Sequence, residues 1–348
     1  MSNHSIRFPA EWETQSGVLI CWPHRNTDWV DLLDEVNTMY LSLAQTISRF
    51  EKLLILTANQ THIAEIKQLL SSASVDLSQI IFHSTQTNDT WTRDYGPITV
   101  QQNGQNRILD FVFNGWGNKF NATLDNAITE KLVKNNVLKT DLFESMDFVL
   151  EGGSIESDGK GTLLTTSDCL LTKTRNPQFS KAQVEVFLKN KLGINKILWL
   201  EHGYLAGDDT DSHIDMIARF TDVHTIAYVK CDDPSDEHFQ AMSNLENQLK
   251  SFRNYNNQPY TLRVLPFASP VYDEESGRRL PASYANFLII NNAVLVPIYD
   301  DEEKDQQALN VLSQCFPDRE IIGIPFRTAI KQNGSLHCLT MQLPQGLI

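Results

Sequence analysis

A short apolar strand, a polar loop and a helix recur in this order five times along a chain of 348 residues. The strands of these units are predicted at residues 17–21, 53–57, 169–172, 225–229 and 294–298. The helices that follow are predicted at residues 29–50, at 63–70, up to residue 192, and through 239–245 and 309–312. Their spacing is too uneven for a tight solenoid, and no linker rich in Pro, Ser or Gly divides them. The pattern predicts structural repetition within a single α/β domain over residues 1–348, with mixed sheets.

Turn and cap signals support several of these boundaries. Asn59 can cap the second helix, and Ser180 and Gln183 have the spacing of a capping box. Asn291 and Asn292 separate two apolar runs and predict a hairpin turn. The remaining apolar segments predict further strands at residues 108–113, 148–155, 162–166, 197–200, 214–220, 262–267, 287–290, 321–324 and 336–342.

The composition narrows the class of protein. The 29 basic and 43 acidic residues give a formal net charge of −14, which disfavours nucleic acid as a partner and attracts small cations. Five cysteines without metal-type spacing argue against a disulfide framework and favour a reducing compartment. No apolar run approaches the roughly 18 residues of a membrane span, and the N-terminus lacks a signal-peptide pattern. We therefore expect a cytoplasmic protein without a membrane partner, and a dimer or larger homo-oligomer is compatible with this composition.

Cys338 differs from the other four cysteines because a histidine precedes it in the sequence. Cys338 follows His337 in a turn that begins at Gly334. Most unpaired cysteines are small buried hydrophobic residues, so a His-Cys pair alone does not indicate catalysis. Three distant segments supply complementary groups: residues 88–94, 151–154 and 207–215. A thiol, a histidine and several carboxylates together form the kind of set that nucleophilic catalysis by cysteine requires.

The carboxylates of these segments are candidates for binding a cation. Asp94 and Asp215 lie near predicted strand starts, and Glu151 precedes a Gly-Gly pair that permits close backbone approach. Each also has a structural alternative as a turn cap or a salt-bridge partner. His213 and Asp215 are two residues apart, so an extended strand would direct both side chains to one face. The acidic run 208–211 lacks the spacing of a calcium-binding loop, and we expect no metal there.

A guanidinium ion fits this set of groups. It is planar, carries paired N–H donors and stays protonated at neutral pH. A carboxylate about 4 Å away contributes on the order of 4 kcal/mol at an effective dielectric constant near 20, before desolvation. Cys338 would attack the guanidinium carbon while His213 protonates the departing ammonia, and water activated by His213 would then release a urea product. This chemistry needs no cofactor.

The same segments carry a family resemblance. In chain order the landmarks are Pro9-Ala10-Glu11-Trp12, Trp91-Thr92-Arg93-Asp94-Tyr95-Gly96-Pro97, Asn114-Gly115-Trp116-Gly117, Glu151-Gly152-Gly153-Ser154-Ile155, Arg175-Asn176-Pro177, residues 208–215, residues 280–287 and His337-Cys338. With these motifs nearly the whole chain resembles the agmatine deiminase family. This family is also described as the bacterial-type peptidylarginine deiminase family, within the pentein or guanidino-group-modifying superfamily.

The resemblance implies both a fold and a site. The fold would be a five-bladed, pseudo-symmetric α/β propeller with the site in its central channel. The implied roles are a nucleophile, a general acid/base, two guanidinium-binding carboxylates and an acidic partner of the histidine or substrate, at Cys338, His213, Asp94, Asp215 and Glu151 respectively. The implied lining of the substrate site is Trp91, Trp116 and Gly334. The implied reaction is the hydrolysis of agmatine to N-carbamoylputrescine and ammonia, a step towards putrescine, without a metal or a cofactor.

Two motifs depart from the family pattern. Many agmatine deiminases carry Gly-Gly-Gly-Asn-Ile-His-Cys before the nucleophile, whereas residues 332–338 read Gln-Asn-Gly-Ser-Leu-His-Cys here. The usual Glu-Thr-Asp-Gly-His is replaced by Asp-Thr-Asp-Ser-His at residues 209–213. Neither change removes a reacting group, but both affect the region that would read the substrate's tail. An arginine or peptidyl-arginine deiminase therefore stays an alternative, with Arg278, Arg279 or Lys331 to bind a tail carboxylate. An amidinotransferase and a non-catalytic guanidine-binding module are further alternatives.

Overall fold

The computed structural model of the chain describes residues 6–348. The strands are β1 (Ile6–Arg7), β2 (Gln15–Cys21), β3 (Lys52–Thr57), β4 (Ile80–Ser84), β5 (Ile98–Gln102), β6 (Gln105–Val112), β7 (Leu142–Val149), β8 (Ile155–Ser157), β9 (Thr162–Thr166), β10 (Lys196–Leu200), β11 (Ala218–Asp222), β12 (Thr225–Lys230), β13 (Thr261–Pro266), β14 (Val271–Tyr272), β15 (Arg279–Leu280), β16 (Leu288–Ile290), β17 (Ala293–Ile298), β18 (Glu320–Pro325) and β19 (Met341–Pro344). The α-helices are α1 (Leu33–Ile47), α2 (Gln60–Ser72), α3 (Thr92–Tyr95), α4 (Gly115–Asn118), α5 (Ile128–Lys134), α6 (Ser167–Leu170), α7 (Lys181–Leu192), α8 (Phe239–Ser251), α9 (Glu302–Cys315) and α10 (Arg327–Ile330). Short 3₁₀ helices include Gly152–Ser154 and Ile214–Met216.

Five sheets in the described part of the chain share one topology. In each, an antiparallel pair is followed by a crossover that brings the third strand back parallel to the central one. The central strands of these units, which we call blades, are β2, β6, β9, β12 and β17. A parallel pair requires such a crossover, usually through a helix. This requirement explains why strand, loop and helix follow one another repeatedly in the sequence. The predicted α/β class is confirmed, and five equivalent blades are compatible with a five-bladed propeller.

The predicted units do not correspond one to one with the blades. The unit at residues 53–57 continues the first blade, because β3 leads through α2 to β4 in the same sheet. The segment 169–172, predicted as a strand, overlaps the end of helix α6, and the strand of that blade is β9. Conversely, the blade around β6 was predicted only as an isolated strand. The repetition is therefore real: the strand and helix predicted around 53–70 are present within the first blade, and of the strands of the five units only the one predicted at 169–172 is wrong.

The predicted caps and the hairpin turn are confirmed. The Asn59 side chain accepts a hydrogen bond from the backbone N–H of His62 at the start of α2. Ser180 and Gln183 form a complete capping box at the start of α7. β16 and β17 pair around Asn291 and Asn292, and Asn292 has the positive φ of 61° that such turns demand. The first helix is shorter than predicted, since a 3₁₀ turn at Val30–Leu32 precedes α1.

Three predicted strands are wrong where they cross the turn that precedes a blade's first strand. The segment 148–155 breaks after β7 into the 3₁₀ helix Gly152–Ser154; the segment 214–220 becomes extended only at β11; the segment 336–342 becomes extended only at β19. These turns are apolar because they are buried, and apolar content alone does not distinguish a buried turn from a buried strand. His213 and Asp215 consequently do not lie on one face of a strand.

The two ends of the chain meet in one sheet. β19 pairs antiparallel with β2, with Met341 opposite Leu19 and Gln342 opposite Val18. The backbone N–H of Arg93 also donates to the carbonyl of Cys338. Cys338 is therefore held between the last strand of the chain and the turn that follows β4. No helix within residues 6–348 has the length and apolar character needed to cross a bilayer.

Arg219 on β11 joins three blades through a buried ionic network. Its Nε donates to Glu156 Oε2 at 2.7 Å, and one terminal nitrogen donates to the carbonyl of Phe287 at 2.9 Å. The other terminal nitrogen donates to Glu11. The Arg219 side chain is fully buried, so these partners replace its entire hydration shell.

Replacing Arg219 by methionine should strongly destabilise the fold, because it leaves Glu11 and Glu156 buried with one fewer cationic partner. We expect a loss of about 3–5 kcal/mol in the free energy of unfolding, measured by urea denaturation. Arg49→Met is the matched control, since Arg49 pairs with Glu320 at the exposed surface and should cost less than about 1 kcal/mol. Equal effects of the two substitutions would contradict the proposed importance of the buried network.

Candidate functional site

The turns that precede the first strands of the five blades supply the candidate site. Asp94 lies in α3 before β5, and Glu151 lies just before β8. Asp215 lies in the 3₁₀ helix before β11, Asn286 precedes β16, and Cys338 precedes β19. Repetition of the blade thus repeats the position of the site residue, and each turn contributes a different side chain.

Cys338 is the best-defined member of the site. Its Sγ lies 3.7 Å from Asp215 Oδ2 and 3.3 Å from Asn286 Nδ2, and the side chain of Met216 contacts its other side. The Asn286 Oδ1 atom accepts from the backbone N–H groups of His337 and Cys338, which fixes the turn. Burial, followed by the charges of Asp215 and Asp94, raises the pKa of the Cys338 thiol well above its usual value. In this arrangement the thiol is protonated at neutral pH.

Asp94 is held by two neutral donors. Its Oδ2 accepts from the Trp116 indole N–H at 2.9 Å, and its Oδ1 accepts from the Gly153 backbone N–H at 2.9 Å. Trp116 adopts a φ of 55°, a conformation costly for a bulky side chain, and its indole contact with Asp94 accompanies this strain. Burial and the charges of Asp215 and Glu151 raise the pKa of Asp94 well above its usual range. A cation placed here would relieve that repulsion.

Asp215 is supported from behind by a histidine that the sequence reasoning missed as a functional residue. His337 Nδ1 lies 2.8 Å from Asp215 Oδ2, and its Nε2 lies 3.0 Å from Glu11 Oε1. Arg93 Nη1 donates to the same Glu11 oxygen at 3.0 Å. Burial would raise the pKa of Asp215, but the hydrogen bond with His337 and the electrostatic interactions with His337, His213 and Arg219 together outweigh it, and the pKa is lowered. Asp215 is therefore the ionised carboxylate beside the thiol.

His213 lies close to the carboxylates without a hydrogen-bond partner. Its Nδ1 is 3.6 Å from Asp94 Oδ1, and neither ring nitrogen forms a hydrogen bond within the described residues, although the ring is buried. Burial lowers the pKa of His213 to about 3, so the imidazole is neutral at neutral pH. Glu151, expected as an acidic partner of this histidine or of the substrate, accepts instead from Arg175 Nε at 2.9 Å.

Gly153 is required by the crowding of these groups. A Cβ atom at this position would lie 2.6 Å from His213 Nδ1, 2.8 Å from Asp94 Oδ1 and 3.1 Å from Asp215 Oδ2. The first two distances are shorter than real Cβ contacts allow, and the third is tighter than most. The three polar atoms thus converge on one point, where only a hydrogen atom of the protein is tolerated.

A cavity of about 240 Å³ opens above Cys338 and Asp94. Trp91, Trp116 and Gly334, the residues expected to line a substrate site, all border it. Gly334 must be glycine, since an added Cβ would lie 2.2 Å from the Trp91 ring. His213, Glu151 and Asp215 do not line this cavity, although Asp215 Oδ2 lies 3.7 Å from the Sγ of the lining residue Cys338. The structure therefore brings the predicted residues together but exposes only some of them to the cavity.

The outer part of the cavity is acidic. Its lining includes six aspartates, namely Asp28, Asp89, Asp94, Asp125, Asp208 and Asp209, and none of the described lining residues is lysine or arginine. Burial and the charge of Asp28 raise the pKa of Asp89 to about 7. Burial raises the pKa of Asp125 to about 8 and that of Asp208 to about 6. Burial is the largest cause of these raised pKa values, so ionising these carboxyl groups costs free energy that a cation nearby would offset.

The acidic run 208–211 is satisfied by the protein itself. Asp208 accepts from the backbone N–H groups of Thr210 and Ser212 at 2.9 and 3.0 Å, and Asp211 pairs with Lys119 and Arg175. Asp209 accepts from the Asn333 side chain at 2.9 Å. These contacts stabilise residues 208–211 as a loop. The loop connects two turns beside the cavity.

Comparison with known proteins places the chain in a family. The profile of the family described as Porphyromonas-type peptidyl-arginine deiminase matches residues 7–344. The chain belongs to this family. Agmatine deiminase of Medicago truncatula is 32% identical, over 98% of this chain and 97% of the plant protein.

Solved structures of similar proteins have the same fold. A Porphyromonas gingivalis protein described as a candidate arginine deiminase has a TM-score of 0.92 and 45% identity, and the alignment covers 99% of each chain. A substrate-bound variant of C. jejuni agmatine deiminase has a TM-score of 0.92 and 40% identity, over 100% of this chain and 99% of the other. The solved structures similar to this chain are thus named for two different substrates.

The buried carboxylates should suppress the reactivity of the thiol in the empty site. Asp94→Asn removes one negative charge near Cys338, lowers the pKa of the thiol and should increase its alkylation by iodoacetamide at neutral pH by about tenfold. Peptide mass spectrometry would quantify the modification of Cys338 separately from that of the other cysteines. Asp147→Asn, at an exposed position on β7, is the control and should leave the rate unchanged. Slower alkylation in Asp94→Asn would show that groups other than Asp94 determine the pKa of the Cys338 thiol.

Proposed function

We propose that the protein hydrolyses agmatine to N-carbamoylputrescine and ammonia. The observation that carries this proposal is a cavity whose inner end holds a thiol beside buried carboxylates and whose outer end is lined by further aspartates without a lysine or arginine. Agmatine carries a guanidinium at one end and a primary ammonium at the other. Both ends of such a substrate would therefore meet negative charge.

At the inner end, Asp94 and Asp215 would grip the planar guanidinium. One oxygen of each carboxylate approaches Gly153, so the two carboxylates lie close to each other. Charge-assisted hydrogen bonds from a planar donor fix orientation as well as position. The Cys338 Sγ, 3.7 Å from Asp215 Oδ2, would then face the guanidinium carbon. The Trp91 and Trp116 rings would form the apolar walls around the substrate's methylene chain.

In the first chemical step Cys338 would attack the guanidinium carbon. The thiol proton would pass to His213, whose imidazole is neutral in the empty site and able to accept it. His213 would then protonate one amino group of the tetrahedral intermediate, which leaves as ammonia. The bond to sulfur is formed and one C–N bond is broken, so a positively charged amidino-thioether is attached to Cys338.

In the second step a water molecule would replace the sulfur. His213 would accept a proton from this water as the oxygen attacks the same carbon. The C–S bond then breaks, the thiol is restored, and the urea product leaves. The remaining proton joins the released ammonia as ammonium. No step requires a metal or a cofactor.

We call the outer end of the cavity, with Asp28, Asp89 and Asp209, the rim. In this proposal the rim distinguishes agmatine from arginine. The carboxylate that arginine carries would lie among Asp28, Asp89 and Asp209 at neutral pH, and like charges repel. The basic residues considered for a tail carboxylate are engaged elsewhere: Arg279 with Asp236, Lys331 with Glu35, and Arg278 with Asn333. The agmatine deiminases among the similar proteins support the same choice, whereas the family description keeps a peptidyl-arginine substrate as the alternative.

Cys338→Ser tests the catalytic proposal directly. This variant should still bind agmatine but lose turnover by several orders of magnitude, because an alkoxide is a far less accessible nucleophile than a thiolate. Ammonia release measures turnover, isothermal calorimetry measures binding, and mass spectrometry of the unmodified protein with agmatine should detect an adduct on Cys338. Cys231→Ser, at a buried cysteine outside the site, is the control. Full turnover in Cys338→Ser would exclude covalent catalysis by this residue.

Agmatine binding should strengthen as the pH rises, because the ammonium tail prefers ionised rim carboxylates. Asp89 has a pKa of about 7, so binding should improve between about pH 6 and 8. Asp89→Asn should flatten this dependence and weaken agmatine binding by about 10- to 100-fold, the loss of one charge-assisted contact. Calorimetry in the Cys338→Ser background isolates binding from turnover.

Arginine supplies the contrast for this rim experiment. It should bind more weakly than agmatine to the parent protein and gain affinity in Asp89→Asn, since one repulsive charge is removed. A parent protein that binds arginine or a peptide ending in arginine better than agmatine would overturn the choice of substrate but not the guanidinium chemistry.

A further inference from the structure

A second group of potential ligand atoms lies behind the catalytic cavity. A carboxylate oxygen of Glu151, the Sγ of Cys169 and a ring nitrogen of His213 all lie within 4.8 Å of one another, and all three residues are buried. Cys169 sits in α6, directly after β9, and plays no part in the reaction proposed above. We propose that Glu151, Cys169 and His213 bind a soft divalent cation such as Zn²⁺, and that occupation of this site inhibits the enzyme by withdrawing His213.

The state of His213 is the independent observation that points to a ligand. Both ring nitrogens are buried and neither forms a hydrogen bond with the described residues. Buried polar atoms are nearly always satisfied, so an unpartnered imidazole indicates a position that another group fills at some stage. An imidazole nitrogen that forms no hydrogen bond has a lone pair available for a metal ion.

The chemistry of the donor set selects the cation. A thiolate, an imidazole and a carboxylate are typical Zn²⁺ ligands, whereas Mg²⁺ and Ca²⁺ prefer oxygen alone. Around Zn²⁺ the ligand atoms would be about 3.3–3.8 Å apart, so atoms that lie within 4.8 Å of one another need small side-chain movements to bind it. Glu151 can spare one oxygen, since Arg175 Nε contacts Oε1 at 2.9 Å and Oε2 at 3.2 Å. Binding would displace the Cys169 proton, which is released to solvent.

The charges around this group also favour a cation. Asp94 and Asp215 lie beside His213, and the two direct hydrogen bonds to Asp94 come from neutral donors. Arg175 opposes binding, but its charge is already shared between Glu151 and Asp211. A bound cation would therefore neutralise the same carboxylates that the guanidinium needs. It would compete with substrate as well as remove the proton carrier, and this inhibitory part of the inference rests on the proposed function.

Cobalt binding to Cys338→Ser tests the site without reference to turnover. With the nucleophilic thiol absent, Co²⁺ should still produce a thiolate-to-cobalt charge-transfer band, and Zn²⁺ should abolish it by displacement. The band should disappear in Cys338→Ser/Cys169→Ser and persist in Cys338→Ser/Cys231→Ser, while Mg²⁺ should have no effect. Cys338→Ser/His213→Gln, which keeps Cys169, should bind Co²⁺ at least about tenfold more weakly. No band in Cys338→Ser, or a band that survives Cys169→Ser, would overturn the site.

Inhibition is tested separately in the active protein. Zn²⁺ should inhibit ammonia release after preincubation, a chelator should restore it, and Cys169→Ser should require at least about tenfold more Zn²⁺ for the same inhibition. Cys231→Ser should match the parent protein. Thermal unfolding would show whether Cys169→Ser or Cys169→Ala is folded. The folded variant would then be used in the inhibition assay. Unchanged Zn²⁺ sensitivity in the folded Cys169 variant would overturn the inhibitory role even where metal binding is observed.

Discussion

The site depends on negative charge that is buried without a full set of cationic partners. Asp215 is compensated from behind by His337, which Glu11 in turn supports. Asp94 receives hydrogen bonds only from the Trp116 indole and the Gly153 backbone, so its charge is stabilised but not neutralised. Burying a carboxylate in this way lowers the stability of the fold unless a bound cation compensates its charge. The fold must supply enough stability elsewhere, and the ionic network around Arg219 and Glu11 lies directly beneath the site.

The fold solves this problem by repetition. Each blade begins with a buried turn that leads directly into a strand. The strand anchors the turn, and each turn directs one polar group towards the same region. Rigid elements hold such groups more accurately than long loops do. The pairing of β19 with β2 is essential to the arrangement, because Cys338 lies near the C-terminus and is otherwise tied only through turns. Thr92 strengthens this junction, since its hydroxyl contacts the carbonyls of both Leu19 and Leu339.

The sequence predicted the regular elements well and the central turns poorly, for one physical reason. Helix caps such as Asn59 and Ser180 act locally, so their residues identify them. The turns at 152–154 and 214–216 are buried and adjoin apolar residues, so the sequence around them resembles that of a continuous buried strand. The residues Cys338, Asp94 and Asp215 were identifiable because their chemistry is complementary. Asn286 and His337 were missed as functional because a buried amide or imidazole has no distinctive sequence signal, although both belonged to motifs already singled out.

The charge balance also determines when the thiol can react. Both Cys338 and His213 are neutral in this structure at neutral pH, because burial raises the pKa of the thiol and lowers that of the imidazole. A neutral pair protects the cysteine from chance electrophiles. In the proposed mechanism, a guanidinium bound between Asp94 and Asp215 would cancel the two charges that, together with burial, hold the thiol protonated. The carboxylates would then serve twice, first by selecting a cationic substrate and then by making the ionisation of the nucleophile depend on that substrate.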